Sequence, residues 1–123
     1  MRGSRWIPPL LWLGVILVLT SIPNPRVGAV SVPGADKLVH GALYAVLGWL
    51  TLRAAWQPGA GWRLAALLFL VVALVGAADE WHQRFIPGRS ADPHDWLADA
   101  TGAATGIGLA CAAARRRGAE RPS

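Results

Sequence analysis

Charge is scarce in this chain. Asp, Glu, Lys and Arg make up 15% of its 123 residues, while 54% are hydrophobic; a soluble domain carries about 25% charged residues. A soluble globular domain is therefore not the expectation. Cysteine is nearly absent: Cys111 is the only one, which excludes an intrachain disulfide and leaves a buried structural thiol as the reading of that residue. Lysine is nearly absent too, with Lys37 alone. No phosphate-binding glycine loop, nucleophile elbow or fixed metal-ligand spacing occurs, so no cofactor and no metal is expected from motif alone. The net charge of +5 suggests nucleic acid at first sight. No basic face is interleaved with aromatics, however, and the arginines punctuate apolar runs, so no nucleic-acid partner is expected.

What the chain has is four apolar runs. A membrane-crossing helix needs about 17–25 mostly apolar residues, and four of them consume most of a single domain, 1–123. The spans are expected at about 7–22, 37–56, 63–83 and 95–114. Pro8 and Pro9 fall in the first turn of the first span, where proline is tolerated. "QPGAG", Gln57 to Gly61, is a tight turn. The fourth span is expected to stop at Arg115–Arg117, leaving "GAERPS" as a frayed tail. The expected fold class is all-α: a polytopic membrane protein, a compact bundle of four transmembrane helices with short loops, whose first partner is the lipid bilayer.

Orientation follows from the basic residues. Arg2, Arg5, Arg53, Arg63, Arg115, Arg116, Arg117 and Arg121 fall on one side, eight in all. Arg26, Lys37, Arg84 and Arg89 make four on the other. Both termini are then expected in the cytoplasm of a bacterial inner membrane, with residues 79–95 facing outward. Arg2, Arg5, the first apolar run and Val27–Ala29 also resemble a cleavable signal peptide. Cleavage would leave three spans without changing the side on which 79–95 lies.

That outward stretch is "DEWHQRFIPGRSADPHD", Asp79 to Asp95, with four acids, two arginines and two histidines. It follows the chargeless "LAALLFLVVALVGAA", Leu64 to Ala78. Asp36, His40 and Tyr44 are spaced i, i+4, i+8 and form one helical stripe. His40 lies a turn inside an apolar span, where ionisable groups are costly and face the bundle interior. Glu80 and Gln83 share a face, and Asp79 reaches Gln83. Asp95 and Asp99 continue into Gly102 and Gly106, and "GAATG" is a small-residue pattern that lets helix backbones approach closely. Packing within one chain is the expected use of that pattern; dimerisation is the alternative. A charged Asp99 in the membrane zone needs a partner, Arg89, His40 or a cation; without one it is expected to be protonated. Three helix ends thus converge on one polar mouth, with Trp81, Phe85 and Trp96 at headgroup depth.

The segments "DKLVHGALYAVLGWL" and "DEWHQRFIPGRSADPHDWLADATGAATG" resemble the VanZ-like family of small bacterial membrane proteins. The family pattern is roughly D-K-x-x-H-x-x-x-Y, D-E-x-x-Q, P-G-R and D-x-x-x-N-x-x-G-x-x-x-G. It spans residues 36–106 and carries over to Asp36, Lys37, His40, Tyr44, Asp79, Glu80, Gln83, Pro87, Gly88, Arg89, Asp95, Gly102 and Gly106. Asp99 departs from it, standing where the family has Asn; an ionised Asp accepts hydrogen bonds but cannot donate them. The resemblance implies a four-helix membrane protein of the cell envelope; the member that names the family is associated with resistance to teicoplanin, and the resemblance implies that context, not a reaction.

Three functions fit these residues. The mouth binds an amphiphilic envelope ligand, such as a lipid-linked wall intermediate, through Asp36, Lys37, His40, Tyr44, Asp79, Glu80, Gln83, Arg89, Asp95 and Asp99, with the Arg89 fork on phosphate or carboxylate. Alternatively, the mouth is an enzyme's, with Glu80 or Asp79 as base, His40 as acid and Arg89 stabilising negative charge; Asp36, His40, Glu80 and Asp99 are the groups that would hold a divalent metal. The third function is purely structural or assembly. The spacing leaves the oligomeric state open.

Overall fold

A computed structural model describes residues 2–22, 35–88 and 92–120. Among them are four α-helices and no strand: α1 (Ile7–Ser21), α2 (Ala35–Ala55), α3 (Trp62–Gln83) and α4 (Pro93–Glu120), with a 3-10 turn at Arg2–Trp6 leading into α1. All four are long and apolar enough to cross a membrane when that turn is counted with α1.

The helices form where expected, with one correction. The fourth span begins two residues earlier and runs past the arginines to Glu120 instead of stopping there. Its start is set by Asp92, whose Oδ1 accepts the His94 backbone N–H at 2.9 Å, and by Pro93 in the first helical position, where its missing N–H costs nothing. Its far end persists because Arg and Ala are good helix formers and Arg suits the negative end of the helix dipole. At about 1.5 Å per residue the 28 residues span roughly 42 Å, more than about 30 Å of hydrocarbon. The residues after Ala114 therefore continue as exposed helix beyond the apolar zone.

α3 ends differently. The N–H groups of Arg84, Phe85 and Ile86 bond to the carbonyls of Trp81, His82 and Gln83, a tightening of the last turn. Gly88, at φ 79°, then takes a left-handed conformation that a side chain would strain.

α2 and α4 form the most extensive helix pair. Lipid tails are as apolar as leucine, so helices in a membrane associate by close packing. Here the packing is backbone on backbone. A Cβ on Gly102 would collide with the Gly41 carbonyl, and one on Gly106 with the Ala45 carbonyl. One turn further, a Cβ on Gly48 would meet the Ala103 oxygen at 2.7 Å. The "GAATG" stripe is thus used inside the chain. Two apolar clusters fill the bundle, one around Ile16, Tyr44, Leu47, Val72 and Ala103, the other around Leu52, Leu68, Ile107 and Ala110. Large aliphatic side chains point outward on every helix; Leu11 is 67% exposed and Leu74 68%. A soluble protein does not tolerate so much exposed apolar surface, whereas a lipid-facing one requires it.

Candidate functional site: a buried polar mouth

The ends of α1 and α3 and the starts of α2 and α4 meet at one end of the bundle. Each contributes polar side chains. Among the described residues, His40, Asp79, Glu80, Gln83, Asp95 and Asp99 are all buried there, and Tyr44 is fully buried beneath them.

Asp79 ties α3 to α1 and α2. Thr20 Oγ1 donates to its Oδ1 at 2.7 Å, Tyr44 Oη to its Oδ2 at 3.3 Å, and Gln83 Nε2 makes a long contact to Oδ2 at 3.5 Å. Asp99 ties α4 to α2, with His40 Nδ1 2.8 Å from its Oδ1. Asp99 can also approach α3 because Gly76 has no side chain; a Cβ there would stand 3.3 Å from the Asp99 Cβ. Glu80 ties α3 to the start of α4, its Oε1 accepting the Asp92 backbone N–H at 2.7 Å. At the rim, Lys37 Nζ lies 3.2 Å from Asp95 Oδ1 and 3.4 Å from Asp92 Oδ2. The Asp92 carboxyl is held below the usual carboxylate range, chiefly by the His94 N–H, with Lys37 adding to the effect.

The network has two loose ends. Glu80 Oε2 and Asp99 Oδ2 are buried and have no hydrogen-bond partner among the described residues. One ligand atom each from His40, Glu80 and Asp99 lies within 4.8 Å of the others.

Most of the expected set is thus brought together: Lys37 on the rim, and His40, Tyr44, Asp79, Glu80, Gln83, Asp95 and Asp99 inside. The helical stripe on α2 divides its labour, His40 serving Asp99 and Tyr44 serving Asp79. Asp36 belongs to α2, but its side chain, like the whole of Arg89, lies outside the described residues. His82 is exposed. Trp81 and Phe85 stand outside, edge to face with ring centroids 5.3 Å apart, as interfacial aromatics do. Trp96 has a structural role as well: its indole N–H donates to the Ala73 carbonyl at 3.0 Å, which fastens α4 to α3. Two members were missed. Thr20 is a single hydroxyl late in an apolar span, with no local signal of its partner. Asp92 was legible, since an acid directly before a proline is a common helix start.

Four lipid-facing helices with acids, an imidazole and a phenol turned inward at one end define a multi-pass membrane protein with an internal polar site. A family model described as VanZ/LLP1 matches residues 7–114, so the chain belongs to the VanZ/LLP1 family. No curated protein and no solved structure matches it.

Proposed function

We propose that this membrane protein binds an amphiphilic ligand of the bacterial cell envelope, a lipid-linked wall intermediate or lipid, with the anionic head at the polar mouth and the chain along the bundle. One observation carries the reading. A groove of about 580 Å3 runs along the α2–α4 seam, walled by Leu38, Ala42, Ala45 and Leu97, with Lys37 at its mouth end. A cation heading an apolar furrow matches an anionic head on an acyl or polyprenyl chain. Arg89, in the same sequence motif as the mouth residues, supplies the second anion contact in this reading. The charge count supports a mouth on the outer face of the inner membrane with both termini in the cytoplasm; in this reading the mouth meets wall intermediates and lipid-tailed glycopeptides there, which is the basis for proposing a role in teicoplanin-type resistance.

The test uses the purified chain in nanodiscs doped with a polyprenyl diphosphate. Native mass spectrometry should find that lipid retained in preference to a zwitterionic phospholipid, with retention lost in Lys37→Ala/Arg89→Ala while the protein stays folded. Undiminished retention in the double variant removes the reading. For the sidedness, a Cys111→Ala, Ser90→Cys chain should react with an impermeant maleimide on intact cells; reaction only after lysis would turn the mouth inward.

The alternative of catalysis by Glu80 or Asp79 with His40 has one favouring observation, the 2.8 Å His40–Asp99 pair, since a carboxylate orients an imidazole for proton transfer. Against it, Glu80 Oε1 and both Asp79 oxygens are already engaged by protein donors. A purely structural role leaves the two unpartnered carboxylate oxygens without a purpose.

A further inference from the structure

We propose that His40, Glu80 and Asp99 form a binding site for one divalent transition-metal ion, of the zinc or manganese kind. The three residues come from three helices, α2, α3 and α4, and each offers a ligand atom within 4.8 Å of the other two. A metal bonded at about 2.0–2.2 Å in tetrahedral geometry holds its ligands roughly 3.3–3.6 Å apart, so atoms at the 4.8 Å limit draw together by about 1.2–1.5 Å when the ion binds.

The second observation is the pair of unpartnered oxygens. Glu80 is 6% exposed and Asp99 0%, and Oε2 of the one and Oδ2 of the other have no hydrogen-bond partner among the described residues. A buried polar atom without a partner is uncommon and costs about 1–3 kcal/mol, more when charged. Two such oxygens in one cluster with an imidazole are arranged as a ligand set. The remaining oxygen of Glu80 is already fixed by the Asp92 N–H, which orders that carboxylate as the shell around a metal site orders its ligands. Asp99 Oδ1 lies 2.8 Å from His40 Nδ1, a spacing that two ligands of one ion can share once the metal takes the place of the proton between them.

Charge points the same way. Among the described residues the mouth buries four acids, Asp79, Glu80, Asp95 and Asp99. His40 contributes at most one positive charge, and Lys37 is exposed and engaged with Asp92 and Asp95. A dication balances Glu80 and Asp99 directly. One imidazole nitrogen and two carboxylate oxygens, without a thiolate, suit zinc, manganese or iron(II) more than calcium, which takes six to eight oxygens, or copper(I), which prefers sulfur. Three protein ligands leave one position open. The protein supplies the ligands by itself, so the inference stands independently of whether an amphiphile binds.

The experiment purifies the full chain without chelator, incubates it with zinc or manganese chloride, desalts it and measures metal by elemental mass spectrometry. A stoichiometric ion, removed by chelator and rebound afterwards, is the expected result. Glu80→Gln and Asp99→Asn should each weaken binding by about tenfold or more. Their elution profile and helical circular dichroism serve as the control for folding, and X-ray absorption of the loaded wild type should report one nitrogen among oxygen ligands even if both variants fail to fold. His82→Ala/His94→Ala should bind as the wild type does. Failure of the wild type to retain either ion overturns the proposal, as does binding carried by His82 and His94, or an absorption spectrum without an imidazole ligand.

Discussion

The two ends of the bundle carry charge in opposite ways. At the end formed by Arg5, Arg53, Arg63 and Arg115–Arg117, the side chains are exposed. Their contacts are few, and Arg5 makes the principal ones, donating to the carbonyls of Arg53 at 2.8 Å and Trp56 at 3.0 Å. At the mouth Asp79, Glu80, Asp95 and Asp99 are buried, and each is engaged by a partner outside its own helix. Water solvates the arginines at almost no cost, so that end needs only to be basic. The mouth has given up solvation, a loss of several kcal/mol per ion, and its geometry must be specific. Charge at one end therefore informs about orientation, and charge at the other about a site.

The seam that holds the mouth in place is where the contrast breaks most completely. Gly102→Leu drives a side chain into the Gly41 backbone, which cannot move aside. Loss of a monodisperse, folded species on size exclusion in detergent is expected. Gly108→Leu, at an exposed position with nothing within 4 Å of its Cβ, should leave the profile unchanged. Equal damage from both would mean that α4 does not pack through this face.

Next in size is Asp79→Ala. It strands the Tyr44 hydroxyl in a buried site, while Thr20 can still donate to the Ile16 carbonyl at 2.9 Å; the loss should cost about 1–3 kcal/mol and lower the detergent melting temperature. Tyr44→Phe should recover part of the loss in the double variant, because the stranded donor goes too. Simple additivity would show that the two residues are not coupled.

Arg5→Ala removes two hydrogen bonds of similar length at the exposed end, and should cost less than about 1 kcal/mol. A melting shift as large as that of Asp79→Ala would abolish the distinction between the two ends.

The smallest effect sharpens the boundary between them. Asp92 sits at the rim, its pKa below the ordinary 3.8. Ionised Asp92 therefore stabilises the first turn of α4 above pH 3.8, and that contribution fades as the pH falls through its lowered folded-state value. Protection of the His94 and Asp95 amides, relative to their intrinsic exchange at the same pH, should fall on the acid side. In Asp92→Asn, which keeps a capping oxygen without a titration, that acid-side loss of protection should disappear; if it remains, another group governs that turn.

Four membrane helices and their limits could be read within one or two residues, except at the end of α4, where a basic tail looked like a stop and proved to be good helix. His40, Tyr44, Glu80 and Asp99 were legible as site residues because an ionisable or hydrogen-bonding group inside an apolar span, or at its helical extension, has to face inward. Thr20 was not, because a lone hydroxyl can satisfy itself on its own helix and carries no such penalty. The roles of Asp79 and Glu80 were likewise hidden. Adjacent on one helix, they look interchangeable, yet one serves α1 and α2 and the other the start of α4.

What the sequence determined by itself is therefore the number of spans, the face of each helix that turns inward and the concentration of charge at one mouth, since lengths and helical periodicity are local properties. Which carboxylate meets which donor was decided only by the tertiary structure. It depends on how far α4 slides into α2 before the Gly102 and Gly106 backbones touch, and that contact sets the depth at which Asp99 meets His40.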